Sequence, residues 1–196
     1  MSKFLRGISL PAMIPAGLLI ITLGTLANLS IAQAPPPAGG AGGVRLLSGR
    51  RAPSFALQDS NMTERDILDY RGHWLLIDFM RTDCPHCKAL TKLLEGVKAK
   101  VGASKVSILS VVLAPPDNQG TVGKYIAENH VTSPILFDMG QVAIAYFKAT
   151  PQRNSYDTPH LFAVDPAGNI AWDWSTTAVE QPGFEAELEQ ILNAKK

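Results

Sequence analysis

The segment Leu75-Leu76-Ile77-Asp78-Phe79-Met80 is almost continuously apolar, and it runs within a few residues into Cys84-Pro85-His86-Cys87 and then into a stretch of helical spacing. That order limits the fold more than any other feature. A strand apolar at successive positions, not alternate ones, must be covered on both faces, as a central and largely parallel strand is. After the tetrapeptide, residues 84–100 place Leu90, Leu93, Leu94 and Val97 on one stripe, with Lys88, Lys92, Lys98 and Lys100 off it, which predicts an amphipathic helix. A buried strand feeding straight into such a helix is the elementary unit of an α/β domain.

The rest of the chain repeats that grammar. Residues 106–113 read as a second buried strand, stopped by Ala114-Pro115-Pro116. Helices are expected over 122–130 and 141–149, with a short strand at 134–137 between them. His160–Val164 and 170–174, joined by Asp165-Pro166-Ala167-Gly168-Asn169, predict an antiparallel hairpin, and 184–192 a closing helix. Upstream, 54–57 reads as an edge strand and 63–70 as a turn with a helical or irregular segment. Trp172 and Trp174 alternate on the last strand and should share a face, packed on the closing helix or offered to a partner. Tyr146 and Phe147 are expected in the core. No internal repeat is evident.

At 196 residues the chain has room for one ordinary domain with modest extensions. Lys3 and Arg6 precede an uncharged apolar run over residues 10–31, the pattern of an export signal. Ala32-Gln33-Ala34 resembles a small-x-small cleavage site, although Pro35 hinders a cut there, and Thr25-Leu26-Ala27 is an alternative. The run also reaches the roughly 20 residues that a bilayer requires, so a cleaved signal peptide and an uncleaved membrane anchor over 1–34 both remain open. Either outcome leaves the remainder periplasmic or otherwise extracytoplasmic. The lack of a cysteine near the end of the run argues against a lipoprotein. Residues 35–49 begin Pro-Pro-Pro-Ala-Gly-Gly-Ala-Gly-Gly and read as a tether, and 50–196 as the domain. Taking Lys3 and Arg6 away leaves 16 basic against 17 acidic residues, a balance that names no partner and gives no footprint for nucleic acid.

Cys84 and Cys87 are the only cysteines, too few for a disulfide framework or a four-cysteine zinc site. Residues three apart on a helix share a face, so the two sulfurs can meet without unwinding the backbone. Cys84, at the helix start, lies beside unpaired N–H groups and the positive end of the dipole, which stabilise a thiolate and mark it as the nucleophile. Pro85 suits the first helical turn because its missing N–H is not needed there. Cys87, one turn in, is the resolving thiol. His86 brings a cation or hydrogen-bond donor next to the nucleophile, which favours the thiolate and a more oxidising couple, unless it is simply a solvated loop residue. Asp83 acts in the opposite sense, and Arg81 can offset it. Asp78 is a carboxylate inside an apolar strand, so burial should raise its pKa and suit it to take or return the Cys87 proton. An edge position or a lysine partner would make it structural instead.

These residues resemble the strand-to-active-site segment of the thioredoxin superfamily, and the exported TlpA/ResA-like branch of thiol-disulfide oxidoreductases most closely. The resemblance covers most of residues 50–194. It includes the Arg-Ala-Pro-Ser-Phe opening at residues 51–55, the CxxC helix, a helix and strand inserted before the last hairpin, and Thr158-Pro159 ahead of that hairpin. It implies a thioredoxin-like fold with a central mixed sheet flanked by helices. It also implies that Asp78 is the family's buried aspartate, that Cys84 and Cys87 form a redox-active disulfide needing no other cofactor or metal, and that Pro159 is a cis-proline. The loop of Thr158 and Pro159 would face the CxxC, present backbone to a substrate chain and hinder metal capture. Implied partners are exported proteins bearing thiols or disulfides and a separate redox protein. Asp83 stands where the family usually has tryptophan, and Leu90 where cytochrome-maturation reductases carry an acid. Cys-Pro-His-Cys itself is associated with DsbA-like oxidases, whose long helical insertion has no room here.

Three other chemistries compete. A thiol peroxidase needs a threonine three residues before its cysteine, where Arg81 stands. A copper chaperone would use Cys84, Cys87 and His130 or His160 as soft ligands. A purely structural disulfide across so short a loop gains little from loop closure.

Overall fold

The computed structural model describes residues 47–194, so the signal or anchor expected over 1–34 and most of the tether lie outside the described residues. Six strands form one mixed sheet, in the order β1 (Arg50–Arg51), β8 (Asn169–Trp174), β7 (His160–Val164), β4 (Trp74–Phe79), β5 (Val106–Leu113), β6 (Ile135–Asp138). β4, β5 and β6 run parallel, whereas β7 is antiparallel to β4 and to β8. The apolar run at 75–80 therefore does occupy the centre, and every residue of β4 is buried. Its odd and even positions serve different cores.

On one face, Leu76, Leu161, Ala163, Trp172 and Trp174 pack against α1 (Pro85–Val101) and α5 (Phe184–Asn193). The two tryptophan rings stack, with centroids 5.9 Å apart, and Trp174 meets Phe184 edge-on, so they are packed on the closing helix. On the other face, Leu75, Ile77, Phe79 and Phe162 pack against α3 (Gln141–Phe147), where Tyr146 and Phe147 are core residues. A third cluster joins Met80, Cys87, Val112 and Ile135 to Val122 and Tyr125 of α2 (Gln119–Asn129).

Several boundaries differ from expectation for local reasons. The 54–57 strand is β2 (Ala56–Gln58), and the 63–70 segment splits into β3 (Glu64–Asp66), paired antiparallel with β2, and a 3-10 turn at Ile67–Tyr70. α2 begins at Gln119, not 122, because Asn118 and Thr121 form a capping box at its start. α3 stops at Phe147 because Lys148 takes a left-handed conformation. A short α4 (Thr176–Val179), not anticipated, follows β8. Gly168, at φ +88°, lets the Asp165–Asn169 connection turn back on itself. Leu47 already packs on the sheet and the Gly49 N–H bonds Ile170 O, so the chain is docked before β1 begins.

Candidate active site

The site lies where β4 ends and α1 begins. Cys84 is the N-cap of α1 in extended backbone, and Pro85 opens the first turn. Capping is performed by sulfur: Cys84 Sγ accepts the Cys87 N–H at 3.3 Å, in the place where a serine or aspartate oxygen commonly sits. The half-buried Cys84 thiol donates in turn to Thr158 O at 3.8 Å, and both cysteines are free thiols. The Thr158–Pro159 bond is cis, as are Ala114–Pro115 and Pro115–Pro116. Pro159 O is held by the Thr176 hydroxyl at 3.0 Å, which ties the loop to α4.

Cys87 is fully buried among Met80, Val112 and Ile135. Burial first, and the contact with Cys84 Sγ second, push its thiol far above the usual cysteine range, with the Asp78 carboxylate adding to the effect. Nearby, the Thr91 hydroxyl bonds both Cys87 O and Tyr125 Oη at 2.9 Å, and burial pushes the Tyr125 phenol up to about 12.

Asp78 is neither at an edge nor paired with a lysine. It is fully buried between Ser110 of β5 and Leu161 of β7, and neither oxygen has a hydrogen-bond partner. Desolvation pushes its carboxyl up to about 8, into the range where a carboxyl exchanges protons near neutral pH.

His86, expected as a cation or hydrogen-bond donor beside Cys84, also has a partner of its own. Its exposed ring meets the Glu180 carboxylate at the end of α4 through Nδ1, so any positive charge there is answered by a carboxylate. Arg81 does bind Asp83, at 2.7 Å, so the two charges before Cys84 offset each other. The histidines considered as soft ligands are not gathered with the sulfurs. His130 is exposed at the left-handed end of α2, and His160 is buried against Phe147 and Phe162, 3.4 Å from Asp173. Among the described residues no group of three or more His, Cys, Asp or Glu side chains could hold a metal.

No local pattern pointed to Asp117, Glu180 or Thr176, each brought to the site from a distant loop or helix. Asp117 accepts from Thr82 Oγ1 and, at 3.3 Å, from Thr82 N. A Pro-Pro-Asp-Asn run signals a turn and a helix cap, not a partner for the cysteine loop.

This sheet order, with a CxxC at the mouth of the helix after the central strand and a cis-proline against the first sulfur, defines a thioredoxin-like oxidoreductase. More particularly, the chain belongs to the AhpC/TSA family, whose model matches residues 48–173. No curated protein matches the sequence. Among solved structures, the chain is similar to the thioredoxin domain of a thiol-disulfide oxidoreductase from Bacteroides vulgatus, at 21% identity and TM-score 0.61 over 76% of this chain and 99% of that one. It is also similar to a secreted disulfide oxidoreductase of Mycobacterium tuberculosis homologous to E. coli DsbE, at 17% identity and TM-score 0.55 over 72% and 96%. A third likeness is to BsSco, of the Sco family of cytochrome c oxidase assembly proteins, at 19% identity and TM-score 0.58 over 73% and 91%. At these identities the shared property is the fold.

Proposed function

We propose that the protein is an exported thiol-disulfide oxidoreductase acting on other proteins through Cys84 and Cys87. The observation that carries this reading is the position of Cys84 Sγ, which accepts an N–H at the start of α1 and faces the carbonyl of the cis Thr158–Pro159 peptide. Helix N–H groups stabilise sulfur as a thiolate, and the Thr158–Pro159 backbone gives an extended substrate segment something to lie against.

In the reducing direction, the Cys84 thiolate attacks one sulfur of a substrate disulfide. The new Cys84–substrate bond replaces the old one, and the departing substrate thiolate takes a proton. Cys87 then gives its proton to the Asp78 carboxylate and attacks Cys84 Sγ. The Cys84–Cys87 disulfide forms, the second substrate sulfur leaves as a thiolate that takes a proton from water, and two electrons have passed to the substrate. Run backwards, the same steps oxidise a substrate dithiol. The raised Cys87 thiol keeps the second nucleophile protonated until a base takes its proton, and Asp78 is the buried carboxylate that interacts with it. The pair needs no further cofactor, and a separate redox protein resets it.

Export is supported by the basic start and the apolar run over 10–31 and by the secreted relative from M. tuberculosis. Among the described residues no helix is long and apolar enough to cross a membrane, and the tether proposed is the apolar run over 10–31.

Replacing Cys87 with alanine should trap substrates on Cys84 as mixed disulfides that reductant releases, and Cys84→Ser should trap none. An exported proteome that yields no adduct with Cys87→Ala would overturn the proposal. A stoichiometric metal in the reduced protein would favour the copper reading, and rapid peroxide consumption without protein disulfide would favour the peroxidase. The equilibrium constant of the couple against glutathione gives the working direction.

A further inference from the structure

Asp117 lies in the loop between β5 and α2, 35 positions beyond Thr82 in sequence, and only 6% of it is exposed. A buried carboxylate is costly unless donors satisfy it, and here three donors do. The Thr82 hydroxyl and the Thr82 N–H, the latter at 3.3 Å, bond its two oxygens, and the Thr121 hydroxyl of α2 adds a third bond at 2.9 Å. Asp117 is itself fixed by its own N–H to Leu113 O at 3.0 Å, across the Ala114-Pro115-Pro116 corner.

Thr82 sits inside the turn that delivers Cys84. The bond closing that turn, from Cys84 N to Arg81 O, is long at 3.4 Å, beyond the usual 2.7–3.2 Å. The Thr82 N–H bond to Asp117 is also long, so the firm hold on the middle of the turn is the bond from the Thr82 hydroxyl to the Asp117 carboxylate. Freeing Thr82 would leave the turn held only by its long Cys84 N–H bond to Arg81 O, with Cys84 anchored beyond it by the first turn of α1 and the Thr158 O contact, so its sulfur could drift from the Cys87 N–H and from Thr158 O.

We propose that Asp117 is a positioning residue of the redox site, clamping Thr82 so that Cys84 Sγ stays at the mouth of α1 and against the Thr158–Pro159 peptide. The inserted segment containing α2 thereby becomes part of the active-site framework, and the inference rests on Cys84 being the reactive thiol. The charged and titratable groups around that sulfur are Arg81 and Asp83 from its own loop, His86 and Cys87 from α1 with Glu180 beyond His86, Asp78 from β4, Tyr125 from α2, and Asp117.

The test uses the full chain in a Cys87→Ala background and follows alkylation of Cys84 by iodoacetamide against pH. Thr82→Val keeps the branched shape and removes the hydroxyl that bonds the Asp117 carboxylate, a bond to a charged group and so among the stronger ones, so it should slow alkylation at pH 7 by about threefold or more and displace the pH–rate profile from the parent's. Asp117→Ala should do the same where it folds, and Thr82→Ser should restore both readouts. A Thr82→Val protein that loses thermal stability but keeps the parent rate and profile would overturn the clamp. So would a Thr82→Ser protein that behaves like Thr82→Val. Because iodoacetamide needs no protein substrate, a failure of Cys87→Ala to trap substrates in the exported proteome is a separate result, bearing on the proposed function and not on the clamp.

Discussion

Asp78→Asn should stabilise the protein at neutral pH while impairing its second chemical step. The substitution keeps the shape of the side chain and replaces an acid held near pKa 8, against an ordinary 3.8, by a group that never ionises. Between those two values the unfolded chain gives up the Asp78 proton and the folded chain keeps it. The folded state then binds more protons, so stability falls as pH rises, by about 1.4 kcal/mol per unit for this one group. The contribution is fully present below about pH 4 and gone by about pH 8. At pH 7 the accumulated loss is on the order of 4 kcal/mol, an upper figure because buried sites relax and admit water. Asparagine abolishes that slope. Urea unfolding of the reduced proteins should give near-coincident midpoints at pH 4 and a variant midpoint higher by about 1 M or more at pH 7, given slopes of about 1–3 kcal/mol per molar. In the same variant, mixed disulfides should accumulate, because an amide cannot take the Cys87 proton. If the two proteins show parallel pH dependence of stability, Asp78 is solvated or paired in solution and the reasoning fails.

Glu95 should behave in the opposite sense. Burial opposes its ionisation, but bonds from Thr132, Ser133 and Lys98 outweigh that and hold its carboxyl at about 2. Its contribution is present above the ordinary pKa and lost as pH falls toward 2, so Glu95→Gln should cost about 1.5–3 kcal/mol at pH 7 and much less at pH 2.5, by denaturant unfolding. His86→Ala should make the Cys84/Cys87 couple more reducing. Because His86 and Glu180 are both exposed, screening limits the change to about 20 mV or less, and equilibration with glutathione that showed a large shift, or one toward oxidising potentials, would contradict this.

The central strand, the CxxC helix and the closing hairpin could all be read from the sequence because their signals are local. Periodicity reports a face, Pro85 and the following apolar stripe report a helix start, and a sulfur at that start has its chemistry set by N–H groups within one turn. The β2–β3 hairpin was harder to read, since Glu64-Arg65-Asp66 carries no apolar alternation and becomes strand only by pairing with Ala56–Gln58. α4 was invisible for a similar reason: four residues carry no period.

The placement of two cysteines three apart at a helix start and the anomaly of a carboxylate in an apolar strand were set by the amino-acid order alone. What surrounds them was decided by packing. That Asp78 has no partner depends on which side chains β5 and β7 place beside it. Thr158 O reaches Cys84 across 74 positions, Glu180 reaches His86 across 94, and Asp117 reaches Thr82 across 35. Contacts at such separations leave no periodic or compositional trace, because each exists only once the sheet order has brought two distant loops to the same end of the domain.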